Sequence, residues 1–532
     1  MTPFLLALFV LGCSVIPCSG ASKHPVILVP GLGASQLWHK KDKEPFYRSL
    51  WVYPHKTIFK LDSLVEDMKL NVNSSTGGTF DDRGHTVKAC GFGNPKSLTG
   101  LVTSWNPFAH PFPKMTSSDC DGEEFYEDDS DFDGMNKTFL RMLRNKKGAN
   151  LVGHWLGTGL SLFDFCESKI KEYAKKIAGI KNTWKNVHYF KDIIHTLEKK
   201  GYRANVDIKG APYDFRKAPN ELTEYYRSLK RLIEDTYSKN GNSKVVLVAH
   251  SNGNPVLLYF YNSVVTAEWK DKYIRAHVAL GPPWAGATKT VKLMVSGDNV
   301  NIPFVEGKRL RPMQRSWPTV AWLMPSPSHG QWKEGEPLVK VDQYSYGVGD
   351  YKHLFDDLGY PDGYRLWETV EKEAVADLSK PPEVRELHVF YGINVPTAGH
   401  FVYTRTSFPD AEPTTVDERD GDGTVNRRSL EAFKKFKSSK FTNITHHAYP
   451  GKDHMDVLRD QRVLSFITNL VFSKEPALPP RHEKSRFPNA ACGWKMPSLT
   501  GRCKPSNAAS YCWKGWQVPM LIVMVLGLVG TV

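Results

Sequence analysis

The sequence predicts an α/β fold whose core is a parallel sheet. Short β-branched runs recur, within KHPVILVPGLG (Lys23–Gly33), KVVLVA (Lys244–Ala249), Tyr273–Leu280 and Glu386–Tyr391, and turn-forming Gly or Pro follows each closely. Helical segments, Tyr189–Lys200 and Leu222–Lys239, stand between such runs, which is the alternation of βαβ units. KVVLVA also passes through HSNG straight into a helical pattern, PVLLYFYNSVV.

A chain of 532 residues exceeds one minimal core but can be filled by one unit with large insertions. Hydrophobic content of 41% and charged content of 24% are ordinary for a globular protein, so most of the chain should fold. The net charge of +14 is spread along the chain without any nucleic-acid-binding signature. Nucleic acid is therefore excluded as a partner, and an anionic lipid surface is the better match for the charge.

Residues 1–20 read as a secretory signal: an apolar stretch, Phe4–Val10, is followed by small residues at Cys18, Ser19, Gly20 and Ala21. Passage through the secretory pathway makes the sequons at Asn73, Asn136 and Asn443 candidate glycan sites. It also leaves Cys90, Cys120, Cys166, Cys492, Cys503 and Cys512 in an oxidising compartment, an even set whose pairing the sequence leaves open. No paired C-x-x-C spacing points to a metal, and no cofactor motif is present. The Cys-containing extension 476–532 ends in an apolar tail, Val518–Val532. Its order of small residues, spacer and tail is that of a lipid-anchor signal, with a transmembrane tail and a plain hydrophobic terminus as alternatives.

The main unit is expected over 21–475. Within it, 96–185 changes texture to Pro-, Ser- and Trp-rich turns, an acidic run and a lysine-rich stretch, and reads as an insert. Asp129, Asp131, Asp133 and Gly134 open like a calcium loop, but Leu140 stands where a bidentate Glu is needed, so the reading is a solvated acidic loop without metal.

The strand, AHSNG and helix together form the arrangement of a nucleophile elbow in an α/β-hydrolase, with Ser251 as nucleophile and Ala249 in place of the first Gly. Small neighbours are needed because the serine occupies a tight turn between strand and helix. The turn aims the Asn252 amide at a developing oxyanion, and the flexible PGLG loop offers Leu32 N–H as second donor. Acid and base should follow in chain order, each on a later loop. DGDGTVN supplies Asp422, with Asp420 as rival; AYPGKDHMDVL supplies His454 after the Gly451 turn, with His446 and His447 as rivals.

These residues resemble the lecithin:cholesterol acyltransferase family, most closely its lysosomal phospholipase A branch. HPVILVPGLGASQL, GYRANVDIKGAPYDFRKAPNE, VVLVAHSNGNP, WKDKYIRAHVALGPPWAG, SGDNVNIP, DGDGTVN and PGKDHMDVL carry the resemblance. It implies calcium-independent transfer of a fatty acyl chain from a phospholipid, at a membrane or lipoprotein surface, to water or to a lipid alcohol such as a sterol or ceramide. It also implies a secreted or lysosomal location, a lid over 294–315, and a membrane-binding subdomain over 37–70 with Trp38, Phe46, Trp51 and Tyr53 as anchors. The chain departs from the pattern at Asn252, where the family has Met, and at Pro282 and Ala285 of GPPWAG. Two competing readings are a soluble carboxylesterase or thioesterase with the same triad, and a catalytically silent lipid-binding protein.

Overall fold

The computed structural model describes residues 23–44, 47–51, 60–98, 125–126, 189–300, 305–375, 377–417, 420–436 and 442–475. The expected signal, the calcium-like loop, Asn136, Phe46, Tyr53 and the extension 476–532 lie outside the described residues, as do 301–304 of the expected lid.

Nine strands matter for the site: β1 (Val26–Val29), β2 (Leu37–Lys41), β3 (Tyr47–Trp51), β4 (His85–Ala89), β5 (Ile208–Gly210), β6 (Val245–His250), β7 (Ile274–Leu280), β8 (Glu386–Ile393) and β9 (Asn443–Pro450). The helices used below are α1 (Leu61–Met68), α2 (Lys191–Glu198), α3 (Thr223–Lys239), α4 (Gly253–Tyr259), α5 (Lys289–Val295), α6 (Gly307–Arg315) and α7 (Gln461–Phe472). Six strands form the central sheet in the order β9-β8-β7-β6-β1-β5, and every neighbouring pair is parallel.

All six residues of β6 are buried, and so are all four of β1. Such continuous apolar runs are what a strand covered on both faces requires. Successive side chains point to opposite faces. Ile27 and Val29 of β1 and Val245, Leu247 and Ala249 of β6 therefore join one core with Tyr226, Leu229 and Ile233 of α3 and Val256 to Leu258 of α4. Val26, Leu28, Val246 and Val248 join the other, with Ile193, Ile194 and Leu197 of α2 and Val463, Leu464 and Ile467 of α7. The result is a three-layer sandwich whose strand C-terminal ends open onto one edge, where ligands of open α/β sheets bind.

The stretch read as a membrane-binding subdomain is partly described. β2 pairs antiparallel with β3 and with β4, and α1 packs beside them and against α6. Here the structure corrects the sequence reading. Trp38 and Trp51 are 4% and 8% exposed, so neither ring is available as an anchor at the surface. The Trp51 indole N–H donates to Gly33 O at 2.8 Å, and its ring packs against Phe215 and Trp317. A buried donor with a backbone partner and two aromatic neighbours makes Trp51 a core residue that braces the PGLG loop.

That burial predicts that Trp51→Ala lowers the free energy of unfolding by about 3 kcal/mol or more. It also predicts equal loss on liposomes and on a soluble short-chain ester. Urea unfolding and the two assays side by side check both outcomes.

Candidate active site

The end of β6 delivers Ser251 into a turn with φ +52°, a left-handed conformation that a serine adopts only under constraint. Backbone contacts supply the constraint. Ser251 N–H donates to Leu280 O of β7 at 2.8 Å, and the Asn254 side-chain amide donates to Ser251 O at 3.0 Å and to Leu280 O at 3.1 Å. His277 Nε2 in turn lies 3.0 Å from Asn254 Oδ1. The glycines explain the pentapeptide: a Cβ on Gly253 would stand 2.7 Å from Val29 O and Pro30 O, and one on Gly31 would stand 2.7 Å from Ser251 Cβ.

Asp422 follows β8 in sequence and His454 follows β9, and neighbouring parallel strands bring their loops together. His454 Nε2 is 2.9 Å from Ser251 Oγ, and His454 Nδ1 is 2.7 Å from Asp422 Oδ2. A carboxylate only accepts, so Nδ1 carries the proton and Nε2 is left to accept from the serine hydroxyl. The other oxygen of Asp422 accepts from Thr424 N–H and Val425 N–H, and His454 N–H donates to Asp422 O at 2.8 Å. Both Asp422 and His454 are buried.

The rivals have other partners. Asp420 accepts from Arg427 at 2.8 Å and from the Asn394 amide. His446 is exposed on β9, where its Nδ1 lies 3.4 Å from the Tyr391 hydroxyl, and His447 stacks on Phe390. For the oxyanion, Leu32 N–H and Asn252 N–H each lack a hydrogen-bond acceptor among the described residues and border the Ser251 turn. Asn252 turns its side chain away from the turn and donates to Tyr213 Oη and Thr319 Oγ1.

Three residues at the site, Tyr189, His250 and Gly281, escaped sequence reasoning. Gly31 N–H donates to Tyr189 Oη at 2.7 Å, Tyr189 Oη lies 2.6 Å from His250 Nδ1, and His250 Nε2 lies 2.9 Å from His454 O. Since His454 O can only accept, His250 carries its proton on Nε2 and accepts the Tyr189 hydroxyl proton on Nδ1. Burial, reinforced by nearby His454, holds His250 well below the usual histidine pKa, so it stays neutral. The string ties the PGLG loop to the histidine of the triad. Gly281, at φ +53°, is the third residue: a Cβ there would stand 3.1 Å from the His454 ring. Its position in GPPWAG, just after a buried strand, was the available signal.

A Ser–His–Asp relay whose members follow in the chain order Ser, Asp, His, at the C-terminal edge of a parallel sheet with an elbow serine, defines an α/β-hydrolase. A family model described as lecithin:cholesterol acyltransferase matches residues 165–376 and 366–461. The chain belongs to the lecithin:cholesterol acyltransferase family. The match begins inside the stretch 96–185 that the sequence sets apart. Lysosomal phospholipase A and acyltransferase of Bos taurus is 38% identical over 283 residues, 53% of this chain and 67% of that protein. The protein of the same name from Homo sapiens is 38% identical over 53% of this chain and 66% of its own length. Phosphatidylcholine-sterol acyltransferase of Gallus gallus is 33% identical over 272 residues, 51% of this chain and 63% of that protein.

The string from Gly31 to His454 predicts that Tyr189→Phe lowers kcat by about tenfold to a hundredfold, roughly 1.4 to 3 kcal/mol of misplacement, with KM nearly unchanged. Steady-state kinetics on a soluble ester read the split.

Buried histidines also set a pH dependence of stability. Burial is the main cause that lowers His277 to about 3 and His388 to about 4, with His388 adding to the first and Arg275 and His447 to the second. Both lie below the unfolded value of 6.5, so as pH falls the unfolded chain takes up protons first. Stability is therefore fully present above about pH 6.5 and declines below it, with a slope approaching about 1.4 kcal/mol per pH unit for each such histidine. Urea unfolding at pH 7 and pH 5 should show the loss, and a flat profile would refute it.

Proposed function

We propose that Ser251 takes a fatty acyl chain from a glycerophospholipid and holds it as an acyl-enzyme that water or a lipid alcohol then releases. The chain is an enzyme of phospholipid acyl hydrolysis and transfer. The single observation that supports a serine mechanism is the relay Ser251 Oγ, His454, Asp422, with links of 2.9 Å and 2.7 Å.

In the first half-reaction the Ser251 hydroxyl proton passes to His454 Nε2 as Oγ bonds to the ester carbonyl carbon. The carbonyl oxygen becomes an oxyanion that Leu32 N–H and Asn252 N–H are positioned to receive. As the ester C–O bond breaks, His454 returns the proton to the departing glycerol oxygen. In the second half, water or a lipid alcohol gives its proton to His454 and attacks the acyl carbon; Oγ leaves and recovers the proton. Asp422 keeps His454 Nδ1 protonated and oriented throughout and stays ionised itself.

The segment 294–315 is our lid. Its described parts are held at the base: Asp298 N–H donates to Gln314 Oε1, Gln314 Nε2 donates to Asp298 O, and Lys292 bridges Asp298 and Glu412. Val300, 39% exposed, stands at the outer end of what is described. Adsorption to a lipid surface rests on the net charge of +14. No helix among the described residues is long and apolar enough to cross a membrane. A lysosomal or secreted site of action is our reading, in line with the word lysosomal in the relatives' names. Asn73, exposed in a turn closed by Ser75 and Thr76, and Asn443, exposed at the start of β9, are our glycan sites.

Product analysis on phospholipid liposomes, with and without a lipid alcohol, tests the reading. Wild-type protein should release fatty acid and, with the alcohol present, form its ester. Ser251→Ala and Asp422→Asn should each lower turnover by about 10⁴-fold or more, whereas Asp420→Asn should leave it within a few fold. Retained turnover in Ser251→Ala, together with unchanged fluorophosphonate labelling, would sink the serine mechanism.

A further inference from the structure

Away from the triad, three ligand-type side chains converge where β2, α1 and β4 meet. His39 lies in the middle of β2, Asp67 near the end of α1, and His85 at the start of β4. His39 Nδ1 is 2.9 Å from His85 Nε2 and 3.9 Å from Asp67 Oδ2, and the three ligand atoms all lie within 4.8 Å of one another. His39 and Asp67 are 3% and 6% exposed, and His85 is half-buried. The two rings meet edge to face at 83°.

We propose that His39, Asp67 and His85 form a binding site for a divalent transition-metal cation, Zn²⁺ being the ion whose preferences the set fits. Two imidazole nitrogens and one carboxylate oxygen are a Zn²⁺ donor set, with a fourth position for water, whereas Ca²⁺ and Mg²⁺ favour all-oxygen shells. With Zn–N and Zn–O bonds of about 2.0 to 2.2 Å, tetrahedral ligands stand roughly 3.3 to 3.6 Å apart. The separations of 2.9 Å and 3.9 Å straddle that range, so shifts of under about one ångström bring the atoms to a common centre. At 2.9 Å the facing nitrogens must share one proton, and a cation that binds imidazole takes the place of that proton.

Asp67 already has neighbours. Lys41 Nζ lies 2.8 Å from Oδ1, and Ser63 Oγ donates to Oδ2 at 3.4 Å. Lys41 is thus on the oxygen turned away from the histidines, and its side chain is 52% exposed, so it can swing into water as a cation enters. None of this involves Ser251 or His454, so the site is structural. β2 and β4 are already paired, with Lys41 opposite His85, but α1 touches this sheet mainly at β3. An ion would cross-link α1 to β2 and β4, and α1 is also the helix that packs on α6 of the lid, with Asp62 accepting from Arg309 at 2.8 Å.

The test uses the full chain stripped with a chelator, then titrated with zinc chloride by calorimetry and thermal unfolding, and with cobalt chloride by visible absorption. Binding should be accompanied by a rise in Tm and by Co²⁺ bands of tetrahedral intensity, while magnesium chloride leaves Tm unchanged. His85→Gln, at the half-buried ligand, and Asp67→Asn should each weaken Zn²⁺ binding by more than about a hundredfold, beyond what loss of a supporting contact causes, and abolish the Co²⁺ bands. His454→Gln should retain both, which separates this site from the imidazole and carboxylate of the triad. Absence of a Zn²⁺-dependent Tm shift and of Co²⁺ bands in the wild-type chain overturns the proposal without any variant. So does binding that survives His85→Gln or vanishes in His454→Gln.

Discussion

Everything at the site depends on holding one residue in a conformation it would not otherwise keep. Ser251 at φ +52° carries strain of about 1 to 3 kcal/mol, and such a backbone persists only where its surroundings leave no alternative. Here the surroundings are backbone on three sides. Leu280 O takes the Ser251 amide proton, Pro30 O and Val29 O crowd Gly253, and Gly31 lies against the serine Cβ. Since β1, β6 and β7 are adjacent strands, the sheet and the strained turn stabilise one another: moving any of the three strands would loosen the turn.

The same architecture orders the protons. Asp422 uses one oxygen for two backbone amides and keeps the other for His454, which fixes the ring's tautomer. On the far side, the His454 carbonyl receives the end of a string that starts at the Gly31 amide. Each donor in that string has only one possible direction, so the loop beside Leu32 and the base at His454 are positioned by one connected set of bonds. Networks of this kind are stiff because no member can rotate without leaving a buried partner unsatisfied.

Strands β1, β6, β7 and β8 were legible because both faces of the sheet are covered there and a doubly covered strand announces itself as an unbroken apolar run, whereas β5 and β9, at the two edges, carry no such run. Ser251 was legible because it follows such a run and shortly precedes Gly253, Asp422 because it stands between Gly421 and Gly423, and His454 because it follows the Gly451 turn. Tyr189 and His250 were not. Tyr189 acts through a hydroxyl that reaches the site from a distant part of the chain, and His250 looks like any residue within AHSNG until its two nitrogens are given partners. Trp38 and Trp51 failed as anchors for a different reason: an indole that anchors to lipid and one that packs in a core are the same letter. Only the position of Gly33 O beside Trp51 decides between them. The cluster of His39, Asp67 and His85 was hidden as well, because its members come from three elements with no motif spacing.

The order of the triad along the chain has a consequence for biosynthesis. A chain growing from its N-terminus makes β1, β6 and the Ser251 turn early, but Asp422 and then His454, which follows β9 at the sheet's edge, come much later. Contacts so far apart in sequence form late, since loop closure must precede them. Until then Ser251 stands without the imidazole that faces it in the folded protein. The contacts of His454 with Ser251 and with Asp422 are completed only when β9 and the turn after it have been laid down.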